Sequence, residues 1–265
     1  QPENLALSFG NPEEIEPLLD LLDCQQLATL RIRDARSPEG IELVWQQLER
    51  ISGAELCALE LSDSRINTRE IMRMLDLTSC RNLTHLRVAL LADDYEDDTI
   101  TLEHASLERL IIERTWYGMS ARAEYLLRGT YPALEHITFA GLWFSGEVWN
   151  RHIFEGCPSL KKLDLMQSSL WGAVDSSDHG PIARMLAEGV FARLEHLSIQ
   201  HSMDDPAAIG ILLRSGQLEN LRYLDLKGNH LDADSARALL EHDGLPHLES
   251  RDLGLSRIPE AMQTT

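Results

Sequence analysis

No stretch of eighteen apolar residues occurs anywhere in the 265-residue chain, so nothing in it reads as a membrane span. Nor is there a phosphate-binding loop, a GxSxG elbow, an HExxH pair or a paired CxxC, which removes the strong signals of nucleotide-binding enzymes, serine hydrolases, zinc peptidases and zinc modules. Positive charge is scarce: 24 Lys and Arg stand against 43 Asp and Glu, a formal net charge of −19. That balance disfavours phosphate backbones and anionic bilayers as partners over most of the surface. Neither a nucleic acid nor a membrane is expected to be the ligand.

What the chain does have is leucine at fixed spacing. Residues 221–231, LRYLDLKGNHL, carry Leu221, Leu224, Leu226, Asn229 and Leu231, the pattern L-x-x-L-x-L-x-x-N-x-L. Aligning on the first Leu finds eight further copies: LATLRI from Leu27, LCALEL from Leu56, LTHLRV from Leu83, LERLII from Leu107, LEHITF from Leu134, LKKLDL from Leu160, LEHLSI from Leu194 and LESRDL from Leu248. Successive starts lie 29, 27, 24, 27, 26, 34, 27 and 27 residues apart, long enough for a strand, a loop and, in most units, a helix.

On these residues the chain resembles the leucine-rich repeat superfamily over residues 27–258, specifically its long-repeat, ribonuclease-inhibitor-like class. The resemblance implies an α/β solenoid, a horseshoe with about nine parallel strands on its concave face and helices on its convex face, and a role in binding proteins. The expected organisation is one domain over residues 1–265: an N-terminal capping helix within 1–26, nine repeats over 27–258 and a tail at 259–265. The Asn position is Asn229 in one unit only, replaced by Ala35, Ser64, Leu91, Thr115, Leu142, Ser168, Ser202 and Ser256, so no continuous asparagine ladder is expected.

Helices are expected at 11–22, with Asn11 as N-cap and Pro12 at the first helical position, and at about 39–50, 68–77, 119–128, 146–155, 181–188, 205–214 and 233–242. The acidic stretch ADDYEDD at 92–98 reads as a solvated loop, because it lacks the glycine turn of a calcium loop. In the longest unit, residues 171–180 form an insertion expected on one rim. Arg251 replaces the second Leu of the last unit, as a residue that ends the stack and meets water.

Cys24, Cys80 and Cys157 each sit three residues before a repeat's first Leu, where other units carry Tyr131, Phe191, Leu218 and Leu245. This is a packing column. Cys24 and Cys80 are two layers apart, about 10 Å, beyond disulfide reach. Unpaired cysteines point to a reducing, cytoplasmic setting, although a chain starting at Gln1 leaves room for a removed leader.

If the second and third leucines of each strand point inward, the residues beside them share the other face in three columns. The first reads Thr29, Ala58, His85, Arg109, His136, Lys162, His196, Tyr223, Ser250; the second Arg31, Glu60, Arg87, Ile111, Thr138, Asp164, Ser198, Asp225, Asp252; the third Arg33, Ser62, Ala89, Glu113, Ala140, Met166, Gln200, Lys227, Gly254. Six fixed cations and five anions make this face +1 and leave −20 on the remainder. The run His85, Arg109, His136, Lys162, His196, at about 4.8 Å per strand, would repel itself unless something anionic lay across it. An acidic segment of a partner protein is the expected complement, with hydrophilic filling of copied positions as the plain alternative. The three histidines occupy alternate layers about 10 Å apart, too far to share one ion, so no metal and no cofactor is expected.

Trp116 and Trp143 fall four residues after the third hydrophobe of adjacent units, at the strand-to-loop rim, whereas Tyr117 and Phe144 match the inward Leu231. With Trp171 in the insertion they would make an aromatic patch of the kind enriched in binding hot spots. The candidate partner-binding residues are therefore His85, Arg87, Arg109, His136, Lys162, His196 and Tyr223 on the face, and Trp116, Trp143 and Trp171 on the rim. His201, Asp204 and Asp205 lie together in HSMDD, but Asp205 before Pro206 reads as a helix start rather than part of an acid–base pair. Three functions follow in order. The first is a non-catalytic protein-interaction module. The second is an inhibitor or immunity-type protein masking a basic enzyme, as the charge suggests and the balanced face opposes. The third is a carbohydrate binder or enzyme using the tryptophans with Asp164 or Asp225.

Overall fold

The computed structural model describes residues 4–8, 27–35, 37–50, 56–66, 68–90, 103–114, 129–141, 155–167, 185–187, 189–202, 206–241 and 245–254. The protein is α/β, with parallel strands following one another in chain order. It divides into two compact units, Gln1–Leu134 with Gly156–Ser159, and Glu135–Glu155 with Leu160–Thr265.

In unit 1, β1 (Asn4–Ser8), β2 (Thr29–Arg33), β3 (Ala58–Ile66), β4 (His85–Leu90) and β5 (Arg109–Arg114) pair in that order. The apolar residues alternate with polar ones, so one face of the sheet is dry: Leu30, Ile32, Leu59, Leu61, Leu86, Val88, Leu110 and Ile112 are all buried. Each such side chain contributes about 2 kcal/mol of transfer free energy. Helix α1 (Pro38–Arg50) adds Leu43, Val44, Trp45 and Leu48 to the core, and α2 (Thr68–Leu75) adds Ile71, Met74 and Leu75. Ser37 opens α1 by accepting the Gly40 N–H on its Oγ at 3.0 Å. The guanidinium of Arg73 lies 4.7 Å above the Trp45 ring, joining the two helices.

Unit 2 repeats the scheme with β6 (His136–Ala140), β7 (Lys162–Met166), β8 (His196–Gln200), β9 (Tyr223–Asp225) and β10 (Ser250–Asp252). Ile137, Phe139, Leu163, Leu165, Leu197, Ile199, Leu224 and Leu226 form its inward rows. Helices α3 (Pro206–Arg214) and α4 (Ala233–Glu241) pack on each other, and Asp232 caps α4 through the Ser235 N–H at 2.7 Å. Arg251 donates to the Leu239 carbonyl of α4 at 2.6 Å. The expected helices at 39–50, 68–77, 205–214 and 233–242 thus appear within two residues of their bounds. Those at 11–22 and 119–128, that at 146–155 apart from its last residue, the acidic 92–98 stretch and the 171–180 insertion lie outside the described residues, as does most of 181–188.

The N-terminal segment departs from expectation. Residues 4–8, within the stretch read as a capping helix, form strand β1, with Leu5 opposite Leu30 and Leu7 opposite Ile32. Ten strands are present among the described residues, where about nine were expected. The first carries the inward pair of a unit but has Pro2 where the leading Leu would stand, so the full pattern misses it.

Two backbone ladders recur from unit to unit. The carbonyl one residue after each first Leu accepts two N–H groups of the next strand: Ala28 from Cys57 and Ala58, Thr84 from Glu108 and Arg109, Lys161 from Glu195 and His196, Arg222 from Glu249 and Ser250. Seven residues after the first Leu, Asp34, Gly141, Gln167, His201 and Gly228 all adopt positive φ, between 48° and 72°. Their N–H groups donate to Ser62, Met166, Gln200, Lys227 and Gly254, each six residues into the following unit. A left-handed residue turns each of these five strands out of the sheet while keeping its donor satisfied, whereas Asp63, Leu90 and Arg114 at the same position are still strand.

Buried polar groups finish the turns. Asn229 donates through Nδ2 to Ile199 and Leu226 carbonyls and accepts the Ser202 N–H at 3.1 Å. Ser202, at the same repeat position one unit earlier, sends its Oγ to the Leu165 carbonyl at 2.7 Å, the counterpart of Ile199. A serine therefore does part of the asparagine's work, and the ladder extends one unit further than the sequence indicated. In the packing column Cys80, Tyr131 and Cys157 are buried with Phe191, Leu218 and Leu245 in their own units. His104 belongs to the same column: its Nε2 donates to the Cys80 carbonyl at 2.7 Å. Among the described residues no helix is long and apolar enough to cross a membrane.

Candidate functional site

The registers place the first two columns on one face within each unit; the third is broken in unit 1, where β3 shifts register against β4 between Leu61 and Ile66, and in unit 2 it is paired only through Ala140, Met166 and Gln200. In unit 1, Thr29, Ala58, His85 and Arg109 are consecutive partners, as are Arg31, Glu60, Arg87 and Ile111. In unit 2 the rows are His136, Lys162, His196, Tyr223, Ser250 and Thr138, Asp164, Ser198, Asp225, Asp252.

The self-repulsion expected along the first row is relieved from within the chain. Asp164 of β7 lies between two histidines of the flanking strands. His136 Nε2 donates to its Oδ2 at 2.7 Å and His196 Nε2 stands 2.9 Å from its Oδ1. Thr138 Oγ1 adds a third contact to Oδ2 at 3.3 Å. Burial works against ionising Asp164, yet the His136 bond and the His196 imidazole beside it hold its carboxyl well below the usual carboxylate range. Asp164 thus supplies an anion to this row from within the chain. Unit 1 follows the same rule: Arg31 meets Glu60 at 3.1 Å, and Arg87 grips Glu113 with two nitrogens at 2.9 and 3.2 Å. Such pairs run diagonally, from one column to the next on the neighbouring strand, or straight across.

His196 also stacks on Tyr223, with ring centroids 4.3 Å apart and planes 11° from parallel. Burial and the carboxylates of Asp225 and Asp252 push the Tyr223 hydroxyl's pKa up. Asp225 is buried and held by Gln200 Nε2 at 2.5 Å and by the Lys227 N–H at 2.9 Å. His85 bonds to Thr84 Oγ1 at 2.9 Å. Arg109 and Lys162 are exposed and make no ion pair among the described residues. Met166, 38% accessible, is the large hydrophobic residue that stays exposed among them. Trp116, Trp143 and Trp171 lie outside the described residues, so the rim patch has no geometry here.

Asp164, His196 and Ser198 are residue types of an acyl-transfer relay and share one face. Ser198, however, is 3% exposed and its Oγ makes no hydrogen bond among the described residues, so His196 is not placed to take its proton. Although His136 and His196 meet on one carboxylate, no three His, Cys, Asp or Glu among the described residues are arranged to hold a metal ion. His201 takes the left-handed turn position with its ring against Gly228.

No protein-family model matches the chain, and no curated protein matches it in sequence.

Proposed function

We propose that the chain is a leucine-rich repeat protein whose open sheet face binds a partner protein without catalysing a reaction. The observation that carries this reading is the bonded layer of unit 2: His136, Asp164, His196 and Tyr223 hold one another, as do Gln200 and Asp225, so the face is ordered before any partner arrives. Preorganisation of this kind lowers the entropy lost on association, which suits recognition. The left-handed turns that recur in five units and the double-acceptor carbonyls support the repeat assignment, since those units solve the same backbone problem in the same way.

The test is affinity capture from the source organism with the wild-type chain and with a variant carrying Arg109→Ala, Lys162→Ala and His196→Ala. Proteins recovered by the first and lost by the second are the expected result. Recovery that the triple change leaves untouched would remove the open face as the binding surface.

A further inference from the structure

Among the described residues strand β1 pairs with β2 alone, so its other edge faces no strand. In this parallel ladder the open-face residues turn their N–H groups toward the preceding unit, as Ala58, His85 and Arg109 do. Asn4, Ala6 and Ser8 hold the same positions in β1, so their N–H and C=O groups point out of the sheet. Leu5 and Leu7 are part-exposed, whereas the inward pairs Leu30 with Ile32 and Leu59 with Leu61 are buried. The edge presents backbone and leucine together.

Sheet edges that stay single carry charge, proline or a bulge that keeps other strands away. On β10, at the far end of unit 2, Arg251 and Asp252 are both exposed. Residues 4–8, by contrast, include no charge and no proline, and they follow β2 in unbroken register.

The residue order in β1 selects what can pair with it. Polar, Leu, Ala, Leu, polar reads alike in both directions about Ala6. An antiparallel copy centred there sets Ala6 against Ala6, Asn4 against Ser8 and Leu5 against Leu7. The residues with outward backbone groups then face one another, and each exchanges both its N–H and its C=O with its opposite. The leucines fall on the non-hydrogen-bonded pairs, where Cα atoms are only about 4.5 Å apart and side chains meet most closely. Hydrogen bonding and leucine burial choose one register, as a self-complementary two-fold contact requires.

We propose that β1 is a homodimer seam, at which two copies of the chain join by antiparallel pairing of Asn4–Ser8 about a two-fold axis at Ala6. With the axis perpendicular to the sheet, the open faces of unit 1 in both copies lie on one side. The −19 charge of each copy opposes their approach, but at about 0.15 M salt it is screened beyond about 8 Å. A five-residue seam is smaller than the standard interface of about 1,600 Å², so the expected Kd is about 50 µM.

Sedimentation of the full chain from about 5 to about 500 µM tests it, spanning that Kd. The mass should rise from 29.9 kDa toward twice that value with concentration. Ala6→Pro removes the N–H on the axis and spares the bonds to β2, while Ala6→Lys sets two ammonium groups against each other. Each should weaken association at least about 10-fold with unchanged circular dichroism, and Ser250→Lys on β10 should leave it within about 2-fold. Ala6→Cys in a Cys57→Ser background should form a disulfide-linked dimer on mild oxidation, because hydrogen-bonded pairs have Cα atoms about 5.5 Å apart. Arg31→Cys, one strand further in, should not. A mass that stays at 29.9 kDa throughout, or association that survives both changes at Ala6, would overturn the proposal. Association lost with Ser250→Lys would overturn it too, in favour of head-to-tail stacking.

Discussion

Asp164 Oδ2 accepts from His136 Nε2 at 2.7 Å although the two residues are two positions out of register, His136 facing Lys162 and Thr138 facing Asp164. The diagonal lets one carboxylate serve two strands at once. Asp164→Asn keeps the shape and removes the charge, and should cost about 2 kcal/mol in urea denaturation at pH 7. Because the folded-state pKa is depressed, this stabilisation is fully present above the unfolded carboxyl's ordinary value, about 3.9, and is lost as pH falls through the folded value. The gap between wild type and variant should thus shrink as pH falls below about 4. A gap that persists undiminished in acid would refute the assignment.

Asn229 closes three hydrogen bonds in a buried turn, and Ser202 closes two through its hydroxyl. Asn229→Ala should destabilise unit 2 by about 3 kcal/mol and Ser202→Ala by about 1 kcal/mol. Equal costs would mean that the serine is a full replacement.

Gly228 and Gly216 have nearly the same φ, 72° and 71°, but different surroundings. A Cβ on Gly228 would fall 2.0 Å from the His201 ring, whereas at Gly216 nothing lies within 4 Å. Alanine should cost about 1 kcal/mol at Gly216, from the left-handed backbone alone, and measurably more at Gly228. Pairing Gly228→Ala with His201→Ala should recover the difference, as thermal denaturation of the four proteins would show.

Thiol labelling separates the cysteines. Cys57 is exposed, while burial pushes the Cys80 thiol up to about 11. Iodoacetamide at pH 8 should alkylate Cys57 in the native protein and reach Cys80 only after denaturant, read by peptide mass spectrometry. Native labelling of Cys80 at a comparable rate would contradict the packing column.

Strand register was readable because a period-2 leucine pattern, repeated at near-constant spacing, leaves one solution for which side is dry. Leu30 with Ile32 and Leu224 with Leu226 are inward as that argument requires. The neutralisation of the basic row was not readable in the same way. Counting down each column treats His136, Lys162 and His196 as neighbours, but side chains on paired strands also reach diagonally, and Asp164 sits in the adjacent column. The left-handed residues escaped notice because Asp34, Gln167 and His201 share no residue type with Gly141 and Gly228. What they share is a backbone acceptor in the next unit. Strand β1 is not legible for a related reason, its two leucines being too few to carry a repeat signature by themselves.

The open face as the partner's seat is tested most directly by site-specific photocrosslinking. A benzoylphenylalanine placed at Met166 on that face should form adducts with the captured partner, and one placed at the exposed Arg237 of α4 should not. Adducts from position 237 with none from 166 would put the partner on the helices and contradict the account.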